Sequence, residues 1–130
     1  MVIKEISKMT LAEYITSKMN VPFEYGKNDC ILFTVGWAEL ASGEKYLPEP
    51  LWTDEKEALK AIKKYKGIEN NFNKYFDKIE ANYAQDGDLT IVDGIAYLFS
   101  GSKIVSVSDN GLIFKNRTNA INAWRIKWQK

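Results

Sequence analysis

The sequence contains no histidine and only one cysteine, Cys30, among its 130 residues. Without imidazole, the chain lacks the side chain that most often serves as a general base or metal ligand near neutral pH. A single cysteine excludes an internal disulfide and a cysteine-based metal cluster. We therefore expect the protein to carry no metal and no other cofactor.

The sequence also lacks an excess of charge of one sign and any long apolar run. Lys plus Arg is 18 and Asp plus Glu is 17, so the net charge of +1 gives no general electrostatic reason to expect nucleic acid or an anionic membrane as partner. No stretch approaches the length of a membrane-spanning helix. The N-terminal segment carries Lys4, Glu5 and Lys8 in place of an apolar core, so we expect no signal peptide and synthesis in the cytoplasm.

What is present suits one folded domain. Hydrophobic residues make up 45% of the chain and charged residues 27%, which is typical of a globular protein and not of a disordered one. A chain of this length buries enough surface for a core of its own. We predict a single domain over residues 1–130.

The first half of the chain has helical patterns. Thr10 and Glu13 form a capping-box pattern at the start of a short helix. Residues 29–42 are apolar on nearly every side, which predicts a buried central helix that ends at Gly43. A helix after Asp54 is predicted to turn Leu59 and its neighbour one turn on, Ile62, toward the core, and a further short helix is predicted over 69–76.

After residue 85 the pattern changes to near-alternation. Four short β-rich runs, DLTIV, IAYLF, KIVSVS and GLIFK, are separated by turn residues and predict an antiparallel meander. The tail from Thr118 predicts a helical turn and one last extended piece. Helices first and strands second, without βαβ alternation, indicate the α+β class.

Cys30 is the candidate nucleophile with the best position. It stands at the predicted start of the central helix, where the helix dipole and free N–H groups favour a thiolate and an oxyanion. Against catalysis, Asp29 is adjacent and negative, and no histidine exists to accept the proton. The alternative is a small buried hydrophobic residue that opens a core helix.

Three other groups of residues also allow two interpretations each. Asp86 and Asp88 flank a glycine and suit either acid–base chemistry or a turn before a strand. Trp124 with Arg125 suits either an exposed partner anchor, together with Trp128, or core packing. The third group is a lysine-rich helix face that suits either phosphate contacts or plain solvation: Lys60, Lys63, Lys64 and Lys66, with Tyr65.

The loop before the central helix resembles that of the NlpC-like cell-wall peptidases, compact papain-like thiol hydrolases that cut peptidoglycan stem peptides. Their loop runs aromatic-x-aromatic-Gly and then Asp-Cys, and Phe23, Tyr25, Gly26, Asp29 and Cys30 follow that order. The resemblance implies a papain-like fold, with N-terminal helices and a buried central helix packed on a C-terminal antiparallel sheet. It also implies a substrate groove at Phe23, Tyr25 and Gly26.

The chain is most similar to a phage-encoded branch of small proteins found among tail genes. The shared features are the proline-aromatic loop and a terminal Ala-Trp, here Ala123–Trp124, and the Gly87–Asp88 pair that opens the meander fits the wider superfamily. The resemblance implies a virion location and other phage virion or tail proteins as partners, with peptidoglycan as a further possible ligand.

The sequence departs from the peptidase pattern at the position of the catalytic base. The family's histidine falls by order near Gly94, and Ile31 replaces the family's serine after the cysteine. Loss of a catalytic base costs several powers of ten in rate. We therefore expect a tail-associated virion protein with a degenerate, non-catalytic peptidase fold.

Two alternatives remain open. One is an active cysteine peptidoglycan hydrolase in which a carboxylate replaces the histidine; the candidates are Asp29 beside the cysteine, and Asp88 or Asp93 near the expected base strand. The other is a non-catalytic peptidoglycan binder with Phe23 and Tyr25 along the groove.

Overall fold

The computed structural model describes residues 9–47, 51–64 and 67–127. In this part of the chain four α-helices precede the main sheet: α1 (Leu11–Ser17), α2 (Cys30–Ser42), α3 (Glu55–Lys64) and α4 (Ile68–Tyr75). The predicted capping box is confirmed at α1, where the Thr10 hydroxyl accepts from the Glu13 amide and the Glu13 carboxylate accepts from the Thr10 amide.

Helix α2 is the buried central helix that its apolar pattern predicts. Phe33, Val35 and Ala38 are each at most 3% exposed. The Tyr14 hydroxyl of α1 donates to the Phe33 carbonyl at 2.6 Å, which fixes α1 against α2. Gly43 ends the helix with φ of 80°, a conformation that glycine adopts without steric cost.

Six strands form one sheet in which neighbouring strands are antiparallel, in the order β1-β6-β2-β3-β4-β5. They are β1 (Asp77–Glu80), β2 (Leu89–Val92), β3 (Ile95–Ser100), β4 (Lys103–Ser108), β5 (Gly111–Asn116) and β6 (Asn122–Arg125). Two 3₁₀ turns, Ala81–Tyr83 and Arg117–Asn119, precede β2 and β6. The α+β class and the β2–β5 meander are confirmed. Strand β1 was not predicted, and β6 returns to lie between β1 and β2.

The sheet is buried on both faces. Helix α2 packs on β3 and β4, and the helix-side core contains Leu98, Val105 and Trp124. On the opposite face Tyr97 and Phe99 are completely buried in a cluster with Ala84 and Ala120, which follow the two 3₁₀ turns. Because both faces are covered there, strands β3 and β4 are buried along nearly their whole length.

The acidic pair around Gly87 forms turn structure. The Asp86 carboxylate accepts from the Gly101 amide at 2.8 Å, and the Asp88 carboxylate accepts from the Gln85 amide at 2.7 Å. Asp88 also pairs with Arg125 of β6, with 2.8 Å between Oδ2 and Nη2. The turn interpretation is confirmed, and the ion pair fastens β6 beside β2.

The structure decides part of the two remaining alternatives, those for Trp124 and for the lysine-rich helix face. Trp124 is fully buried and its Nε1 donates to Asn73 Oδ1 at 2.8 Å, so it is a core residue and not an exposed anchor. Lys60, Lys63 and Lys64 are exposed, as a solvated helix face predicts. Trp128, Tyr65 and Lys66 lie outside the described residues.

The prediction that Leu59 faces the core is wrong. Leu59 is 58% exposed, and Ala58 is the buried residue of α3, while Ile62 is half-buried. Ala58 is thus covered by other parts of the protein, whereas Leu59 borders a groove and is not covered. Among the described residues no helix is long and apolar enough to cross a membrane.

Leu98 is fully buried and Leu59 is exposed, so truncation of each to alanine should lower the free energy of unfolding by different amounts. Leu98→Ala should lower the free energy of unfolding by about 3 kcal/mol, because a fully buried leucine leaves a cavity in the sheet core. Leu59→Ala is the matched control and should cost less than about 0.5 kcal/mol. Urea denaturation of both variants measures the difference. Equal losses would contradict the assignment of Leu59 to an uncovered surface.

Candidate functional site

A groove of about 500 Å³ lies beside the N-terminus of α2. Its walls come from the loop before α2, from the exposed side of α3, and from the β2–β3 and β4–β5 turns. The residues that line it are Phe23, Tyr25, Asp29, Cys30, Ile31, Trp52, Glu55, Ala58, Leu59, Ile62, Ile68, Gly94, Ile95, Val107, Ser108 and Asp109. The groove therefore joins segments from all three thirds of the chain.

The Asp29 carboxylate holds the groove wall together. Its Oδ1 accepts from the Leu32 amide at 2.8 Å and so caps α2. Its Oδ2 accepts from the Gly26 amide at 3.0 Å and from Trp52 Nε1 at 2.8 Å. One buried side chain thus connects the loop, the helix and the segment that leads into α3.

Position 26 requires glycine for two reasons, its backbone conformation and the close approach of the Trp52 backbone. Its φ is +84°, and a Cβ atom at this position would lie 2.2 Å from the Trp52 carbonyl oxygen. No side chain fits there without displacing the backbone at Trp52. Gly26 therefore shapes the groove through its backbone and does not itself line it.

The loop is closed by a short local bridge. The Asn28 amide donates to the Glu24 carbonyl at 2.7 Å, and the Glu24 amide donates to the Asn28 carbonyl at 3.1 Å. Asn28 Nδ2 donates to the carbonyls of Val21 and Pro22. This bridge positions Phe23 and Tyr25, whose rings pack edge to face at 4.9 Å on the groove side.

The structure places Cys30 in the groove as the first residue of α2. Burial and, to a smaller extent, the adjacent Asp29 charge raise the pKa of its thiol to about 11, against the opposing effect of a backbone hydrogen bond from Ala96. The helix-dipole argument predicted a lowered pKa. That prediction is wrong because desolvation of the thiolate outweighs the helix N-terminus.

Asp88 and Asp93 do not meet Cys30. Neither residue lines the groove: Asp88 is paired with Arg125 at the far end of β2, and Asp93 is exposed in the β2–β3 turn with φ of 53°. The structure therefore does not bring either of these two candidate bases into the lining that contains Cys30. Asp29 does lie beside Cys30, but its two oxygens already accept three hydrogen bonds.

Sequence reasoning missed Trp52, Glu55 and Asp109, which complete the groove. No spacing rule connects them to Cys30, because Trp52 lies in the segment before α3, Glu55 begins α3, and Asp109 lies in the β4–β5 turn. Glu55, Asp29 and Asp109 all act on Tyr25, whose pKa is raised by burial first and then by these charges together with Cys30. The pKa of Tyr25 is thus affected by the carboxylates of all the groove walls that carry one.

Negative side chains dominate the charge of the groove. Asp29, Glu55 and Asp109 line it, and no lysine or arginine is among the described lining residues. Within the described ranges no three acidic or cysteine side chains come together as metal ligands. The arrangement disfavours a thiolate and favours a cation.

Comparison with known proteins gives a family without an assigned activity. A family model described as a domain of unknown function, DUF6950, matches residues 5–126. The chain belongs to this family. No curated protein and no solved structure matches it. The family match includes the whole groove and all six strands of this DUF6950 domain.

The three hydrogen bonds of Asp29 predict a large effect of its removal. Asp29→Ala should lower the free energy of unfolding by about 2 to 4 kcal/mol, because the α2 cap, the Gly26 amide and the Trp52 indole all lose a charged acceptor. Urea denaturation measures the loss.

Asp54→Ala is the matched control. The Asp54 carboxylate lies at an exposed site before α3 and accepts one hydrogen bond, from the amide of Glu57 in the first turn of that helix. Its loss should be about 1 kcal/mol. Equal losses for Asp29→Ala and Asp54→Ala would show that the Asp29 network contributes no more than a helix cap.

Proposed function

We propose that the protein is a non-catalytic, tail-associated bacteriophage virion protein. In this proposal its domain is a degenerate papain-like domain of the NlpC type, and its groove binds a ligand without cleaving it. One observation carries the absence of catalysis: Cys30 lies in a groove whose charged side chains are carboxylates.

The electrostatics explain why this cysteine is a poor nucleophile. A cysteine hydrolase needs a thiolate, which a neighbouring cation or imidazolium normally stabilises. Here a thiolate would be a fourth negative charge beside Asp29, Glu55 and Asp109. With a pKa of about 11, the thiol is neutral at physiological pH.

The position of Gly94 supports the interpretation as a degenerate peptidase. The NlpC-like resemblance places the missing histidine near Gly94, and Gly94 lines the same groove as Cys30. A glycine offers no proton acceptor in its side chain. The lining that contains Cys30 thus also contains the position that the resemblance gives to the base, and this position offers no base.

The tail location is supported by the sequence resemblance. The proline-aromatic loop and Ala123–Trp124 are the features shared with the phage tail-gene branch. In the fold both serve structure, since the loop shapes the groove and Trp124 packs edge to face on Phe72 in the core. These features support descent from a shared domain.

Mass spectrometry of purified particles tests the virion location. We expect peptides of this protein in density-purified phage at a fixed ratio to known tail proteins. A phage with the gene deleted is the control for carry-over from the lysate. Absence of the protein from complete particles would contradict the tail assignment and leave the non-catalytic groove unaffected.

A second candidate function is non-catalytic binding of peptidoglycan. The edge-to-face pair of Phe23 and Tyr25 favours it, because paired aromatic rings on a groove wall suit contact with a sugar or peptide backbone. Sedimentation with purified cell walls tests this candidate. The double variant Phe23→Ala with Tyr25→Ala should abolish sedimentation if the groove is the binding site.

The reactivity of Cys30 tests the absence of catalysis. In the folded protein we expect the iodoacetamide alkylation rate to rise with pH only toward about 11, because the buried thiol ionises there. The urea-denatured protein is the control and should titrate near the ordinary value of about 8.5. Since Cys30 is the sole cysteine, the measured rate reports on this site alone.

A folded-state titration below about 8 would contradict the proposal. It would favour the active hydrolase with a base other than histidine. Release of peptidoglycan fragments, abolished by Cys30→Ser, would then be the expected activity.

A further inference from the structure

The groove has an unbalanced charge within a nearly neutral protein. The whole chain carries a net charge of +1, yet the groove lining includes Asp29, Glu55 and Asp109 and no basic residue among those described. Asp29 is occupied by its three donors, so Glu55 and Asp109 are the carboxylates left to contact a ligand.

The two carboxylates stand on different walls. Glu55 begins α3, and Asp109 lies in the β4–β5 turn. Tyr25 lines the same groove as both carboxylates, and after burial each of these charges contributes to the raised pKa of its phenol. A cation placed near the Tyr25 ring would therefore interact with both charges and with the face of an aromatic ring.

The remaining walls are apolar. Leu59 is 58% exposed on the α3 side, and Ile62, Ile95 and Val107 continue the apolar surface. A small apolar cavity of about 40 Å³ adjoins the groove and shares its lining residues Ile31, Trp52, Ile62 and Ile68. It has room for a small hydrophobic group. The ligand must therefore be amphipathic, with a cation and an apolar part a short distance apart.

We propose that this groove binds an extended peptide segment of a partner protein in which a lysine or arginine is flanked by apolar side chains. The carboxylates of Glu55 and Asp109 receive the basic group, and Leu59 and the adjoining cavity receive the apolar neighbours. A volume of about 500 Å³ suits a few residues of peptide. The inference rests on the proposed non-catalytic use of the groove, and it adds the chemistry of the ligand.

The probe is an acetylated and amidated six-residue peptide with one lysine between two leucines. A second peptide carries norleucine in place of lysine, which keeps the carbon chain and removes the ammonium group. Binding is followed by NMR, with the amides of Gly94 and Ser108 as reporters of the groove. At low salt the lysine peptide should bind about threefold to tenfold more tightly than the norleucine peptide, and salt should reduce the difference.

Charge-neutral variants locate the interaction. Glu55→Gln and Asp109→Asn should each reduce the preference for lysine. Glu80→Gln removes the same charge from β1, where Glu80 is exposed and outside the groove lining, and should leave the preference intact. Thermal melting of each variant checks that the fold is retained.

The outcomes separate this inference from the proposed function. Two results would overturn the inference and leave the proposed non-catalytic groove unaffected. One is equal binding of the lysine and norleucine peptides; the other is a loss of lysine preference in Glu80→Gln as large as in Glu55→Gln and Asp109→Asn. Cleavage of the lysine peptide, detected by mass spectrometry, would overturn the non-catalytic function and not the preference for a cation. A soluble peptidoglycan stem peptide that binds more than about tenfold more tightly than the lysine peptide would overturn the assignment to a protein partner.

Discussion

The carboxylate of Asp29 receives hydrogen bonds from three segments that are separate in the chain. It caps α2 through the Leu32 amide, closes the loop through the Gly26 amide, and fixes the Trp52 indole in front of α3. An anion at a helix N-terminus is also stabilised by the helix dipole. Since these segments are the walls of the groove, the shape of the groove depends on this one side chain.

The same carboxylate sets the chemistry of its neighbour. In this fold the residue that stabilises the start of α2 places a negative charge beside Cys30, and burial adds to the cost of ionising the thiol. A histidine would offset both effects, but the chain has none. Glu55 and Asp109 extend the negative potential across the groove. The carboxylate that stabilises the start of α2 is therefore also one of the causes, after burial, of the raised pKa of the thiol.

Local sequence patterns predicted the helices and turns that are stabilised by contacts between residues close together in the sequence. The Thr10 capping box, the apolar helix α2 with its stop at Gly43, and the turns between β2, β3, β4 and β5 all follow from contacts within a few residues. Strand β1 escaped prediction, because it is short and mostly exposed and exists through its pairing with β6. Leu59 was misassigned, because periodicity shows which residues share a helix face and not whether another element covers that face.

By itself the sequence determined that imidazole chemistry and internal disulfides are excluded, and that Cys30 follows Asp29 at the head of a buried helix. Only the tertiary structure decided which charges surround the thiol. Asp88 and Asp93, near the strand expected to carry a base, are not among the lining residues of the groove, while Glu55 and Asp109 are. The physical reason is that a pKa depends on burial and on distances in space, and long-range packing sets both.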